Sequence, residues 1–253
     1  IVNCPRSCES CHLRDHRVRC QRSFLNVSTT AAYRPGDLDV LFSSLKMPNK
    51  KNWVVSHLSR DPYLIQVDNF ISKSEAAGMI DAVESWDPSV DNFDQESIST
   101  LAPGRSAATH WCMNSCMKDE TVQRVAEKVS SITTLDKDNF EAFQFVKYET
   151  SDYYTRHHDF GSYQLSFPSG PRVLTMLIYL NDVEEGGETF FPHLDITVKP
   201  KIGRALIWPN TLIFDLHRVD PRLVHESLPV TKGNKYAVNS WGHLYNYVVP
   251  NHW

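Results

Sequence analysis

Val173-Leu174-Thr175-Met176-Leu177-Ile178-Tyr179-Leu180 is the clearest strand in the chain. It is rich in β-branched and aromatic residues and follows a Gly170-Pro171 breaker. Similar runs occur at Tyr63 to Val67, Ala142 to Tyr148, Ala205 to Trp208 and Lys235 to Tyr245. Short β-runs separated by Gly and Pro clusters predict a sandwich or jelly roll. Two helices are expected ahead of most of these strands, buttressing one sheet. The first begins at Ser72, because a serine followed three residues later by Glu75 satisfies orphan amides. It carries Ala76, Met79, Ile80 and Val83 on its apolar face and ends near Trp86-Asp87-Pro88. The second spans Asp119 to Ile132, with Val122, Val125, Ala126 and Val129 as its stripe. The expected class is mostly β with flanking helices.

Outward from that core, Tyr154-Thr155-Arg156-His157-His158-Asp159 carries the chemistry. Side chains two apart on a strand share a face, so His157 and Asp159 point the same way and His158 points opposite. His225 can close the set from a neighbouring strand. Two histidines and one carboxylate on one face of a metal leave the other positions open, as in non-heme Fe(II) oxygenases. His217 competes with His225 for the third place. Lys235 can sit deeper in the same cavity and hold a carboxylate through a charge-assisted bond. An unpaired ammonium entering the apolar run Tyr236-Ala237-Val238 would otherwise be costly. Tyr148 and Tyr154 fall on the opposite parity to the ligands, so a bend or bulge between Tyr154 and His157 is required to bring them round.

Bulk composition narrows the rest. With 253 residues, 41% hydrophobic and 22% charged, the chain is ordinary globular protein. A formal charge of -4 argues against a dedicated nucleic-acid binder. No apolar run approaches the roughly 20 residues of a membrane span. Ile1-Val2-Asn3-Cys4 reads as an interior start rather than a leader, which suggests a processed or trimmed chain. Four of the six cysteines, Cys4, Cys8, Cys11 and Cys20, crowd residues 1–20. Such density points to disulfides and an oxidising compartment, with a zinc site as the rival reading. Asn26-Val27-Ser28 is a possible glycosylation acceptor. Cys112 and Cys116 either form a local disulfide or remain buried thiols, since a bond across four helical residues is strained. Three segments are expected. They are the cysteine-rich 1–20, an extended connector at 21–60, and a catalytic domain at 61–253. The polar, turn-rich 89–105 is long enough to be a lid.

Four spaced blocks resemble one known family. They are Tyr148-Glu149 with Tyr154, His157 and Asp159; Arg172-Val173-Leu174-Thr175 through Gly186-Gly187-Glu188-Thr189-Phe190-Phe191-Pro192; Val198-Lys199-Pro200-Lys201 with Gly203, Ala205 and Leu206; and His225, Pro229-Val230, Gly233, Lys235 and Trp241. In order and spacing, over roughly residues 62–247, they look like the catalytic domain of prolyl 4-hydroxylases of the collagen, plant and algal type. Asn3-Cys4-Pro5 with Ser7-Cys8 and Cys11 is similar to the closing half of a ShKT-like cysteine module.

The resemblance implies a double-stranded β-helix, or jelly roll, that binds Fe(II) and 2-oxoglutarate. By that resemblance His157, Asp159 and His225 are the iron ligands. Lys235 holds the distal carboxylate of 2-oxoglutarate, Tyr148 and Thr189 line its pocket, and Trp241 packs beside it. Arg105, Glu141, Tyr154, Arg172 and His243 are candidate peptide contacts. The implied reaction converts peptidyl proline to 4-hydroxyproline with O2 and 2-oxoglutarate, releasing succinate and CO2, with ascorbate as reductant. The implied partner is a proline-rich or hydroxyproline-rich polypeptide. Secretory location, in the endoplasmic reticulum or Golgi lumen, would follow. Three departures stand out: Arg105-Ser106-Ala107 in place of Arg-Thr-Ser, a short loop from Phe160 to Pro171, and Glu226 directly after a ligand; the first two bear on peptide choice rather than on iron chemistry. Two other readings stay open at this point: a related oxygenase with a different target, and an inactive module that binds proline-rich chains.

Overall fold

The computed structural model describes residues 30–45, 52–89 and 104–251. The cysteine-rich segment 1–20, Asn26 and most of the 89–105 loop lie outside the described residues. Two sheets dominate. The larger has eight strands in the order Val54–Arg60, Tyr63–Asp68, Ala205–Pro209, Arg172–Tyr179, Lys235–His243, Gln144–Tyr148, Ala108–Trp111 and Asp87–Pro88. The smaller has four, Ile196–Val198, Thr189–Phe191, His225–Ser227 and Tyr154–His157. All the pairings within both sheets are antiparallel. The chain passes repeatedly between the sheets, the arrangement of a jelly roll.

Strand parity divides the interior in two. In the run that opened the sequence analysis, Leu174, Met176 and Ile178 join the core beneath the helices. Leu177 and Tyr179 join a second core between the sheets. The neighbouring strand obeys the same rule: Ala205 and Ile207 face the helices, Leu206 and Trp208 face the smaller sheet. Both faces of the large sheet are covered, so its central strands read as continuous apolar runs rather than as alternation.

The helices form where expected. Ser72 and Glu75 make a reciprocal capping box ahead of helix Lys73–Asp81, which buries Ala76 and Met79. That helix stops before the expected Trp86-Asp87-Pro88. Glu120–Thr133 follows an Asp119 cap and buries Val122, Val125, Val129 and Ile132. Residues 21–60, expected as an extended connector, hold more structure than that. Asp37–Ser44 is helical and buries Leu38, Leu41 and Phe42. Val54–Arg60 is an edge strand paired with Tyr63–Asp68. Tertiary burial of three apolar side chains outweighs the weak helical signal of that stretch.

Cys112 and Cys116 are disulfide-bonded with Cα atoms 5.1 Å apart. The strain expected from two helical positions does not arise. Cys112 follows a strand and Cys116 lies in helix Ser115–Lys118, with Asn114 at φ 50° turning the chain between them.

Candidate active site

One cavity opens between the sheets, and the sequence-predicted residues collect in it. His157 and His225 face each other across paired strands as register partners. The same pairing opposes Ser227 to Tyr154, so that Glu226 alone faces both Thr155 and Arg156 between the two pairs. The extra residue is the bulge that the Tyr154-to-His157 spacing required. It lets the Tyr154 ring stack on His157 with centroids 3.7 Å apart. Tyr148 and Tyr154 are separated by a turn at Ser151, whose φ is 77°, and they belong to different sheets.

His157, Asp159 and His225 each offer a ligand atom, all within 4.8 Å of one another. His157 Nε2 lies 4.0 Å from Asp159 Oδ1 and His225 Nε2 lies 3.7 Å from Asp159 Oδ2. His157 Nδ1 donates to the Thr155 carbonyl at 2.8 Å, and His225 Nδ1 to the Leu223 carbonyl at 3.1 Å. Each bond assigns the proton to Nδ1 and leaves the Nε2 lone pair aimed at the cluster, the tautomer a metal requires. Burial pushes the His157 imidazole down to about 3, helped by the neighbouring His225. Burial also opposes the charge on Asp159. His225, His157, Arg172 and the Thr175 hydroxyl overcome it and hold the carboxyl down at about 2. Two imidazole Nε2 atoms beside an ionised carboxylate are a ready-made donor set for Fe(II).

His158 and His217 do not join. His158, just past the end of the strand Tyr154–His157, touches the cavity wall, but its Nε2 donates to the Asp220 carbonyl at 2.9 Å rather than to the cluster. His217 is exposed on the strand Asp215–Val219.

Lys235 lines the same cavity and is only 2% exposed. Its Nζ donates to Ser227 Oγ at 2.7 Å and lies 4.9 Å from the centre of the Tyr148 ring. No carboxylate of the described residues pairs with it. Burial therefore lowers its ammonium to about 7. A dicarboxylate reaching inward from the three-residue cluster would supply the missing counter-charge, so donor set and ammonium together fit Fe(II) with 2-oxoglutarate. Thr189 is buried and shares a 2.7 Å hydrogen bond with the Tyr179 hydroxyl.

The remaining candidates separate into two groups. Arg105, Tyr154, Arg172 and Trp241 line the cavity. Arg105 lies over the Tyr154 ring at 4.7 Å, and its buried Nε and Nη2 lack a hydrogen-bond partner. Arg172 stacks on Trp241 at 3.8 Å. Glu141 and His243, in contrast, are buried behind that wall. Glu141 Oε2 accepts from Arg172 Nη2 at 2.8 Å and Oε1 pairs with His243 Nε2 at 2.7 Å. Burial opposes its charge, but the Arg172 guanidinium and His243 hold the carboxyl down at about 2. Glu141 thus positions Arg172 rather than presenting its own oxygens.

Several residues escaped the sequence reading. Ser227 shares the His225 face by parity and could have been found that way. Thr175 is the one aliphatic hydroxyl in a continuous apolar run, on the odd-numbered face with Leu177 and Tyr179. Nothing local marked Asn210, which follows a strand and reaches Thr175 only through the fold.

Residues 143–243 match the family model described as the 2OG-Fe(II) oxygenase superfamily. Prolyl 4-hydroxylase 13 of Arabidopsis thaliana is 29% identical over 206 residues, covering 73% of this chain and 72% of that protein. Prolyl 4-hydroxylase subunit alpha-1 of Gallus gallus is 32% identical over 149 residues, 57% of this chain and 28% of the longer relative. Among solved structures, the viral collagen prolyl hydroxylase of Paramecium bursaria Chlorella virus-1, in complex with 2OG, superposes with a TM-score of 0.56 at 26% identity. That match covers 71% of this chain and 95% of the viral one. With the fold, the His-Asp-His cluster and these relatives in agreement, residues 143–243 form an Fe(II)- and 2-oxoglutarate-dependent oxygenase domain of the prolyl 4-hydroxylase type.

Proposed function

We propose that this protein hydroxylates peptidyl proline at the 4-position. The observation that carries the reading is one cavity holding both a His-Asp-His cluster, with Asp159 and His225 buried, and a buried ammonium that no carboxylate of the described residues pairs with. His157, Asp159 and His225 would hold Fe(II). Lys235 and Ser227 would hold the distal carboxylate of 2-oxoglutarate, with Tyr148 packed beneath the ammonium and Thr189 on the wall. Bound together, iron and 2-oxoglutarate activate O2 for oxygen insertion at an unactivated carbon, with succinate and CO2 released. The chain's own part is to bind, orient and exclude water. Leu177, Trp208 and Tyr148 keep the inner cavity apolar. The strands of two sheets fix each donor before substrate arrives, which lowers the ordering cost at the reacting centre.

The polypeptide would enter at the open side, where Tyr154, Trp241, Arg105 and Arg172 present aromatic faces and guanidinium donors. Such a surface suits an extended polyproline II segment, whose rings stack on aromatics and whose carbonyls are free to accept. Proline-rich or hydroxyproline-rich chains supply that conformation at low entropic cost. Lumenal residence in the secretory pathway agrees with the Cys112–Cys116 bond, which favours an oxidising compartment. Ascorbate is the reductant this reading calls for. No helix among the described residues is long and apolar enough to cross a membrane.

Incubation with Fe(II), 2-oxoglutarate and a panel of proline-rich peptides is the test. The expected result is succinate release matched by a mass gain of one oxygen on proline. Succinate release without peptide modification across the panel would instead favour a different acceptor.

A further inference from the structure

One of the two carboxylate oxygens of Asp159 is already engaged. Thr175 donates its hydroxyl to Oδ2 at 2.7 Å. The same hydroxyl accepts from Asn210 Nδ2 at 2.8 Å. Both Thr175 and Asn210 are fully buried. A hydroxyl carries a single hydrogen, and an amide nitrogen cannot accept it. The donation from Asn210 therefore turns the Thr175 hydrogen towards the carboxylate.

Neither residue is free to drift. Thr175 sits mid-strand between Trp208 and Trp241, paired on both sides. The Asn210 amide donates to the Val173 carbonyl at 2.9 Å, and the Asn210 carbonyl accepts from the Asp220 amide at 3.1 Å. The result is a directed chain, Asn210 to Thr175 to Asp159, anchored in the large sheet and ending on one chosen oxygen.

We propose that Thr175 and Asn210 are positioning residues that hold Asp159 by Oδ2, so that Oδ1 is the oxygen presented to the metal. The proposal rests on the reading of His157, Asp159 and His225 as the iron ligands. A carboxylate free to rotate can chelate through both oxygens and fill a position that co-substrate needs. Anchoring one oxygen keeps coordination one-armed and the open face open. Outer partners of this kind fix ligand orientation and metal affinity without touching the metal.

The test uses the full chain titrated with Co(II) in place of iron, recording affinity and the visible absorption that reports donor number and geometry. Parent protein, Thr175→Val, Thr175→Ser, Asn210→Ala and Asp159→Ala are compared. Thr175→Val keeps the shape but lacks the donor. It should bind Co(II) at least about tenfold more weakly and show a shifted absorption band. Thr175→Ser should restore both, which a packing role for the γ-methyl would not do. Asn210→Ala should fall between them. Thr175→Val with parental affinity and spectrum, while Asp159→Ala has lost the metal, overturns the positioning role and leaves the ligand assignment standing. Asp159→Ala with parental binding overturns both. Should Thr175→Val fail to fold, Asn210→Ala decides, and parental affinity and spectrum there reject the proposal.

Discussion

Lys235 holds its ammonium at about 7 because burial strips it of water, a cost that the charge of Glu188 only partly offsets. That value gives the site a pH dependence. Below pH 7 the cation is present before ligand arrives. Above it, a bound dicarboxylate must draw a proton in, so its affinity falls as pH rises. Calorimetry at several pH values should show 2-oxoglutarate binding weaken above neutrality, with proton uptake; pH-independent binding up to pH 9 would rule this out. Lys235→Ala should raise the KM for 2-oxoglutarate about tenfold to a hundredfold, the worth of a hydrogen bond to a charged group, while Co(II) affinity stays at the parental level. Weakened metal binding in that variant would place Lys235 elsewhere. His225→Ala should abolish succinate release, and His158→Ala should not, because His158 is turned to the Asp220 carbonyl. Equal losses in the two would contradict the placing of His225, and not His158, in the cluster. These residues were legible beforehand, since their types and spacing carry the chemistry. Thr175 and Asn210 were not, since hydroxyl and amide groups acquire meaning only from what they touch.

Among the elements, the turn at Gly186-Gly187 is tightly constrained. Gly186 has φ 80°, and a Cβ there would lie 2.3 Å from the Pro229 carbonyl oxygen. That turn pairs Glu185–Gly186 with Val230–Lys232, just before the Lys235 strand. Gly186→Ala should destabilise by more than the ~1 kcal/mol at stake at a compatible glycine position, read as a lowered Tm. An unchanged Tm would show the turn can relax. The Glu141–Arg172–His243 group joins the ends of two central strands. Its carboxyl is depressed to about 2, so its contribution to stability is complete above the ordinary carboxylate pKa of roughly 4.3. That contribution is lost as pH falls towards 2. Glu141→Gln leaves the Arg172 guanidinium buried without its counter-charge, and should cost about 3–5 kcal/mol in chemical denaturation. The capping box and both main helices were evident in sequence, because caps and 3.6-residue periodicity are local. Helix Asp37–Ser44 was not, because its stability comes from Leu38, Leu41 and Phe42 meeting the core.

For the whole molecule, the consequential feature is that one sheet serves two cores. Ile178 faces the helices and Leu177 faces the cavity. Ile178→Ala should cost about 2–5 kcal/mol while leaving the KM for 2-oxoglutarate unchanged. Leu177→Ala should alter KM as well, and identical kinetic profiles for the two would argue against the division. Sequence by itself determined the strand-rich class, the two capped helices, the metal-binding residue types and the lysine that enters an apolar strand. Each follows from periodicity, propensity or spacing within a short window. Only the tertiary structure decided that Glu141 and His243 stand behind Arg172, that Ser227 meets Lys235, and that Asn210 reaches Asp159 through Thr175. Those contacts join strands far apart in the chain, and strand order and register across two sheets are set by the packing of all the faces at once.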